Sequence, residues 1–195
     1  FPATSRSARA VCDNPKSGDS VSTEPRNSSS ATPTLGIDIG RVLITPGQAD
    51  GRDTSFLGAS ISDAILTPPY PGMFDVVPDL VEAFDGRVWL VSKASPPTQE
   101  RTRRWLAHHR FFERTGVPAE NLCFCLERSQ KATICSANGI THFIDDRQDV
   151  LNYMKNVVSH RYLFGPQKTS VAPGAGLTQV LSWPDVSREL LGYFR

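Results

Sequence analysis

From residue 35 onward, apolar residues fall in short dense runs that alternate with longer stretches spaced for helices. Leu35–Ile44 (LGIDIGRVLI) is apolar and β-branched, with a single Asp and Gly inside, which predicts a buried strand closing in a tight turn. Met73–Phe84 places Phe74, Val77, Leu80, Val81 and Phe84 at helical spacing, with Pro78 expected near its first turn and Asp85-Gly86 stopping it. Arg87–Ser92 (RVWLVS) predicts a second buried strand. Pro96-Pro97-Thr98 leads into a helix over 98–115, closed by Gly116, with Trp105, Leu106, Phe112 and His109 on its inner stripe. Three further strands are predicted at Asn121–Leu126, Thr141–Ile144 and Arg161–Phe164. Helices are predicted at Ser129–Asn138, Gln148–Val158 and Trp183–Phe194.

Two stretches break this rhythm. Residues 1–34 hold eight Ser, four Thr and four Pro, with almost no large apolar side chain after Phe1. Such a segment cannot bury enough surface to offset its chain entropy, so 1–34 is expected to be a disordered tail and 35–195 one domain. The tail lacks the apolar core of a secretory signal; its composition is compatible with the remnant of an organelle transit sequence. Residues 45–72 are rich in Gly, Pro, Ser and Asp and predict a loop or small flap, in which Arg52, Asp53, Phe56 and Tyr70 are placed to cover a site.

Strands alternating with helices imply an α/β fold: a Rossmann-like, mostly parallel sheet with helices on both faces. Ligands of such sheets sit beyond the carboxyl ends of the strands. The polar residues ending these strands are Asp38, Ser92 and the pair Asp145-Asp146.

Composition adjusts this picture modestly. Hydrophobic residues make up 39% of 195 residues, enough for one core. The net charge of +1 gives no overall electrostatic case for nucleic acid or an anionic membrane, and no apolar run approaches a membrane span. Arg101, Arg103, Arg104, Arg110 and Arg114, with His108 and His109, cluster on the 98–115 helix against only Glu100 and Glu113. This is either a solvated face or a patch for a polyanion, and it keeps nucleic acid open as a secondary partner. The four cysteines form no dense disulfide framework. Cys123-Phe-Cys125 on a strand puts both sulfurs on one face without a second pair, so Cys123, Cys125 and Cys135 are expected as core thiols of an intracellular, reducing compartment, the cytoplasm first and an organelle second.

Taken singly, each strand-end residue reads as an ordinary turn, cap or surface group. As an ordered set they resemble the haloacid dehalogenase (HAD) superfamily of phosphohydrolases. Leu35-Gly-Ile-Asp38-Ile-Gly40-Arg41 is similar to the family's first motif, a strand followed by Asp. Val88-Trp-Leu-Val-Ser92 is similar to the second, Lys131 to the third, and Thr141-His-Phe-Ile-Asp145-Asp146 to the fourth, a strand ending in paired acids. The resemblance spans about residues 35–195. Arg161–Phe164 and the Trp183-Pro-Asp helix look most like the short deoxyribonucleotidase-like branch.

The resemblance implies a Mg²⁺-dependent phosphohydrolase. Asp38 would be the nucleophile that becomes an aspartyl-phosphate, and also a metal ligand. The Gly40 carbonyl and one or both of Asp145 and Asp146 would complete the protein's share of hard oxygen ligands. Ser92 would hydrogen-bond a phosphoryl oxygen, and Lys131 would offset the charge of phosphoryl and carboxylates. Lys93 and Arg41 join Ser92 and Lys131 as candidate substrate contacts. The partner would be a phosphorylated small molecule or macromolecule, with a homo-oligomer as a further expectation.

One position departs from the family pattern. Phosphatases of this type carry a second Asp two residues after the nucleophile, to protonate the leaving group and activate water. Gly40 stands there and can do neither. General acid–base help is worth roughly 10²–10⁴ in rate, or about 3–5 kcal/mol of barrier. The expected activity is therefore weak, or restricted to good leaving groups such as acyl and aryl phosphates. His142 and Asp149 are candidate substitute acids. Two other outcomes stay open: a scaffold turned to another substrate class, and a phosphate- or Mg²⁺-binding regulatory module with little turnover. Residues 45–72 are too short for a helical cap domain, so a minimal cap or none is expected.

Overall fold

The structure is a computed structural model. It describes residues 11–12, 32–46, 56–58, 60–167 and 176–194. Seven strands are present among them: β1 (Val11–Cys12), β2 (Leu35–Ile37), β3 (Val88–Lys93), β4 (Leu122–Cys125), β5 (His142–Asp145), β6 (His160–Phe164) and β7 (Leu177–Val180). The helices are α1 (Ile61–Ile65), α2 (Met73–Ala83), α3 (Pro96–His108), α4 (Phe111–Thr115), α5 (Gln130–Ala137), α6 (Gln148–Tyr153) and α7 (Trp183–Gly192). The strands form one sheet in the order β1-β4-β3-β2-β5-β6-β7. All neighbours are parallel except β1, which pairs antiparallel with β4.

Side chains along each strand alternate between the two faces, as the pleat requires. Leu35, Ile37, Leu90, Phe124, Ile144 and Phe164 face a core built with α2, α3 and α7. Val91, Cys123, Cys125, Phe143 and Leu163 face a smaller core under α5 and α6. The α/β architecture with helices on both faces is thus present as expected. Gly36 lies where β2 meets β5, and a Cβ there would collide with the Phe143 ring. Only glycine leaves room for that ring.

Several boundaries differ from the sequence expectation. The strand predicted over 35–44 ends at Ile37; the chain then closes into a loop in which the Ile39 carbonyl accepts from Leu43 N–H at 3.0 Å and Ile44 N–H at 3.2 Å. Arg41 sits in that loop at φ 63°, a left-handed conformation few side chains adopt. The single helix predicted over 98–115 is two, α3 and α4, broken at Arg110 with φ 51°. That break turns Phe111 into the core and leaves Phe112 only half-buried. The helix predicted to reach Val158 stops at Tyr153. Pro78 lies inside α2 rather than in its first turn. Strand β7, unanticipated, fills 177–180 beside β6.

The 45–72 stretch contains α1, opened by a capping box in which Ser60 and Asp63 satisfy each other's backbone N–H groups. Phe56 and Tyr70 are half-buried and pack against the main core, where Tyr70 meets the edge of Phe164 at 4.9 Å. Arg52 and Asp53 lie outside the described residues. The expected disordered tail also falls largely outside them, but its Val11 and Cys12 pair with Phe124 and Cys123 of β4. Cys123, expected as a core thiol, is disulfide-bonded. Cys125 and Cys135 are buried free thiols. Cysteine usage therefore no longer argues for a reducing compartment. No helix among the described residues is long and apolar enough to cross a membrane.

The arginines of 98–115 are largely engaged locally. Arg104 pairs with Glu100 at 2.8 Å, and Arg110 pairs with Glu113. Arg103 lies over Phe124 and Arg114 over Phe74. The solvated-face reading fits these contacts better than a continuous polyanion patch.

Candidate functional site

The carboxyl ends of β2, β3 and β5 converge on one cleft, together with the start of α5. Its lining includes Asp38, Gly40, Arg41, Ser92, Lys93, Lys131 and Asp146. Residues far apart in sequence meet here because β2 lies between β3 and β5 and all three run the same way. The backbone extends the β2–β5 ladder by one step past β2: Asp38 N–H donates to the Ile144 carbonyl at 2.9 Å. That bond fixes where the Asp38 carboxylate emerges.

Lys131 is the centre of the charged cluster. It is almost completely buried, and its Nζ lies 2.9 Å from Asp38 Oδ1 and 2.7 Å from Asp145 Oδ2. Burial alone would lower the lysine's pKa, but Asp145 and Asp38 hold it above the ordinary lysine range, so it stays charged. Asp145 is fully buried, and its other oxygen, Oδ1, accepts from Arg147 N–H at 2.9 Å. Burial and the neighbouring Asp38 and Asp146 carboxylates push Asp145 up, against the pull of Lys131. Asp146 is pushed up to about 6 by burial and by Asp38, although Arg41 Nε lies 3.1 Å from its Oδ2.

Three carboxylates crowded into a mostly dry pocket favour a bound cation. Asp38, Asp145 and Asp146 each offer an oxygen, and these oxygens lie within 4.8 Å of one another. Asp38 Oδ1, though beside Lys131, is buried without an aligned hydrogen-bond donor. An all-oxygen, multiply anionic donor set suits a hard divalent ion, so the residues fit Mg²⁺. The thiols offer no competing nucleophile: burial pushes Cys125 up to about 11 and Cys135 up to about 12.

Neither suggested substitute for the acid reaches this cluster. His142 opens β5, three residues before Asp145, roughly 10 Å away along the strand. Its ring stacks on His160 at 4.4 Å and meets the edge of Phe84 at 5.2 Å. Asp149 is held by Arg147 through Nε at 3.0 Å and a second guanidinium nitrogen at 3.1 Å, and does not line the cleft.

Three contributors were missed from sequence. Arg128 and Arg147 line the cleft from the loops after β4 and β5. The strand-end rule points at both loops, but an arginine in a loop carries no local mark that its side chain turns into the cleft. Trp183 is the third: its buried Nε1–H donates to the Val42 carbonyl at 3.0 Å, pinning the loop that carries Gly40 and Arg41. No local pattern announces a contact across 141 residues.

Comparison with solved structures matches this architecture. A HAD-superfamily hydrolase from Ehrlichia chaffeensis superposes with a TM-score of 0.53 at 11% identity, covering 86% of this chain and 100% of that one. The fold is that of HAD-superfamily hydrolases. A haloacid dehalogenase-like family hydrolase from Xanthomonas campestris gives 0.52 at 13% identity, covering 85% of this chain and 99% of that one. No family model and no curated protein matches the sequence. Identities this low establish the fold alone.

Proposed function

We propose that this chain is a Mg²⁺-dependent phosphohydrolase that works through an aspartyl-phosphate on Asp38, with weak turnover or a preference for good leaving groups. The observation that supports it most is the Asp38–Lys131–Asp145 cluster at the carboxyl ends of β2 and β5. Mg²⁺, held by Asp38, the Gly40 carbonyl and Asp145 or Asp146, would offset phosphate charge that otherwise repels an anionic nucleophile. An Asp38 oxygen attacks phosphorus, the bond to the ester or acyl oxygen breaks, and the leaving group departs with the electron pair. Water then attacks the same phosphorus, releasing inorganic phosphate and restoring the carboxylate. Ser92 and Lys131 hold the phosphoryl oxygens, with Lys93 and Arg41 at the edge of the cleft.

Gly40 leaves no side chain to protonate the leaving group, and among the described residues that line the cleft none is a histidine. This favours acyl or aryl phosphates over sugar phosphates, and so argues against a deoxyribonucleotidase activity despite the sequence likeness to that branch. The same absence supports a second reading, a phosphate- and Mg²⁺-binding regulatory module without useful turnover. Acetyl phosphate and p-nitrophenyl phosphate hydrolysis, with and without Mg²⁺, separates the two. We expect slow Mg²⁺-dependent turnover, lost in Asp38→Asn and raised in Gly40→Asp. Mg²⁺ binding without turnover selects the binding module; absence of both rejects the site.

A further inference from the structure

The loop after β2 is held on both sides of Gly40 by bonds to other elements. Before it, Asp38 N–H donates to the Ile144 carbonyl of β5. After it, the first backbone group bonded to another element is the Val42 carbonyl, which accepts from the Trp183 indole at 3.0 Å. The Leu43 carbonyl follows, accepting from Tyr70 N–H at 2.7 Å, and the Ile39 carbonyl is taken within the loop by Leu43 and Ile44 N–H. Gly40 lines the cleft, and among the described residues no donor reaches its carbonyl. A backbone oxygen of a cleft-lining residue is thus free to meet a cation.

The orientation of that oxygen depends on the next two residues. Arg41 stands at φ 63°, a conformation that a non-glycine side chain keeps only where its surroundings over-determine it. Val42 is fully buried, and Trp183 supplies its anchor. Trp183 is itself firmly placed. It is fully buried in the first turn of α7, which Ser182 caps by accepting from Asp185 N–H. Its ring lies 5.7 Å from that of Phe164 in β6, and its Cβ sits beside Gly72 at the start of α2.

We propose that Trp183 is a positioning residue for the metal: its indole N–H, by holding the Val42 carbonyl, keeps the Gly40 carbonyl in place as a Mg²⁺ ligand. The inference rests on the Mg²⁺ site of the proposed function. Groups that hold a metal ligand from behind fix its orientation, and losing one typically weakens metal binding about 10–100-fold. Trp183 acts two residues away from Gly40 rather than on it, which places the effect at the lower end of that range. Substituting an indole changes no charge at the cleft, so the effect is transmitted through geometry.

Calorimetric titration of the full chain with MgCl₂ tests this without turnover. Trp183→Phe removes the donor. Replacing Trp183 with 3-benzothienylalanine keeps the bicyclic ring and puts sulfur where the N–H was, so the bond is lost while the volume stays. Trp105→Phe is the control: Trp105 is as deeply buried, and its indole donates at 2.7 Å to the carbonyl of Thr67, a residue that does not line the cleft. Both Trp183 variants should bind Mg²⁺ about tenfold more weakly than the wild type, and Trp105→Phe within about twofold of it. If Trp183→Phe does not fold, the benzothienyl variant decides alone. Wild-type affinity in the benzothienyl variant overturns the inference, because packing rather than the hydrogen bond is then what Trp183 supplies. An equal loss in Trp105→Phe overturns it as well, since general loosening of the fold would explain both. A wild type that binds no Mg²⁺ overturns it together with the metal site. Failure of acetyl phosphate hydrolysis, with the Mg²⁺ affinities as expected, defeats only the catalytic reading and leaves the positioning role standing.

Discussion

Acid should destabilise this protein through His142 in a defined pH window. The imidazole is almost completely buried at 1% exposure. Its Nδ1 shares a hydrogen bond with Thr141 Oγ1 at 2.8 Å, while Nε2 has no partner. His160 stacks on one side, Phe84 and Tyr193 meet its edges, and among the described residues no carboxylate pairs with it. Burial, and then the charge of His160, lower its pKa from 6.5 to about 4. The unfolded chain therefore takes up a proton near pH 6.5, which the folded chain refuses until about pH 4. Stability from this residue is complete above pH 6.5, is lost as pH falls toward 4, and changes no further below that. At about 1.4 kcal/mol per unit, the gap is worth up to about 3 kcal/mol. Urea unfolding of the wild type and His142→Leu, run across this range, isolates the effect because His160 is common to both. The stability difference should shift by up to about 3 kcal/mol in favour of the leucine variant between neutral and pH 4. Parallel pH curves for the two proteins would refute the assignment of a neutral, buried His142.

Three more outcomes follow from particular contacts. Lys131→Met strands Asp38 and Asp145 in a dry pocket and should cost about 3–5 kcal/mol in urea unfolding at neutral pH; a loss below about 1 kcal/mol would mean the ion pairs do not exist in solution. Trp183→Phe leaves the buried Val42 carbonyl without its donor and removes packing volume, for about 2–4 kcal/mol, whereas the half-buried Trp89→Phe should cost clearly less in the same assay. Gly36→Ala drives a methyl group into Phe143 and should cost about 1–3 kcal/mol, and pairing it with Phe143→Leu should recover part of that loss. Simple additivity of the last pair would show that the two residues are not in contact.

Much of the candidate site was readable along the chain because strand ends are locally encoded. An apolar β-branched run ends where the sequence turns polar, and in a parallel sheet such ends of successive strands lie on the same side. That is why Asp38, Ser92 and Asp145-Asp146 are legible together in the sequence. Lys131 was named only through its family likeness; its burial between two carboxylates is a tertiary outcome. His142 shows the opposite case. Its place in a strand was legible, but a histidine reads the same whether its ring meets solvent, ligand or aromatic side chains.

The hydrophobic pattern by itself determined the alternation of strands and helices, the parallel sheet, and the end of that sheet at which charge would collect. These follow from side-chain periodicity and local turn chemistry, which act over a few residues. Only the tertiary structure decided the strand order that puts β2 between β3 and β5, the ion pairs of Lys131, and the arrival of Arg128 and Arg147 in the same cleft. It also decided that Trp183 holds the Val42 loop and that Phe56 and Tyr70 pack against the core. Those are contacts between residues tens of positions apart, set by which faces bury together, and no local spacing encodes them.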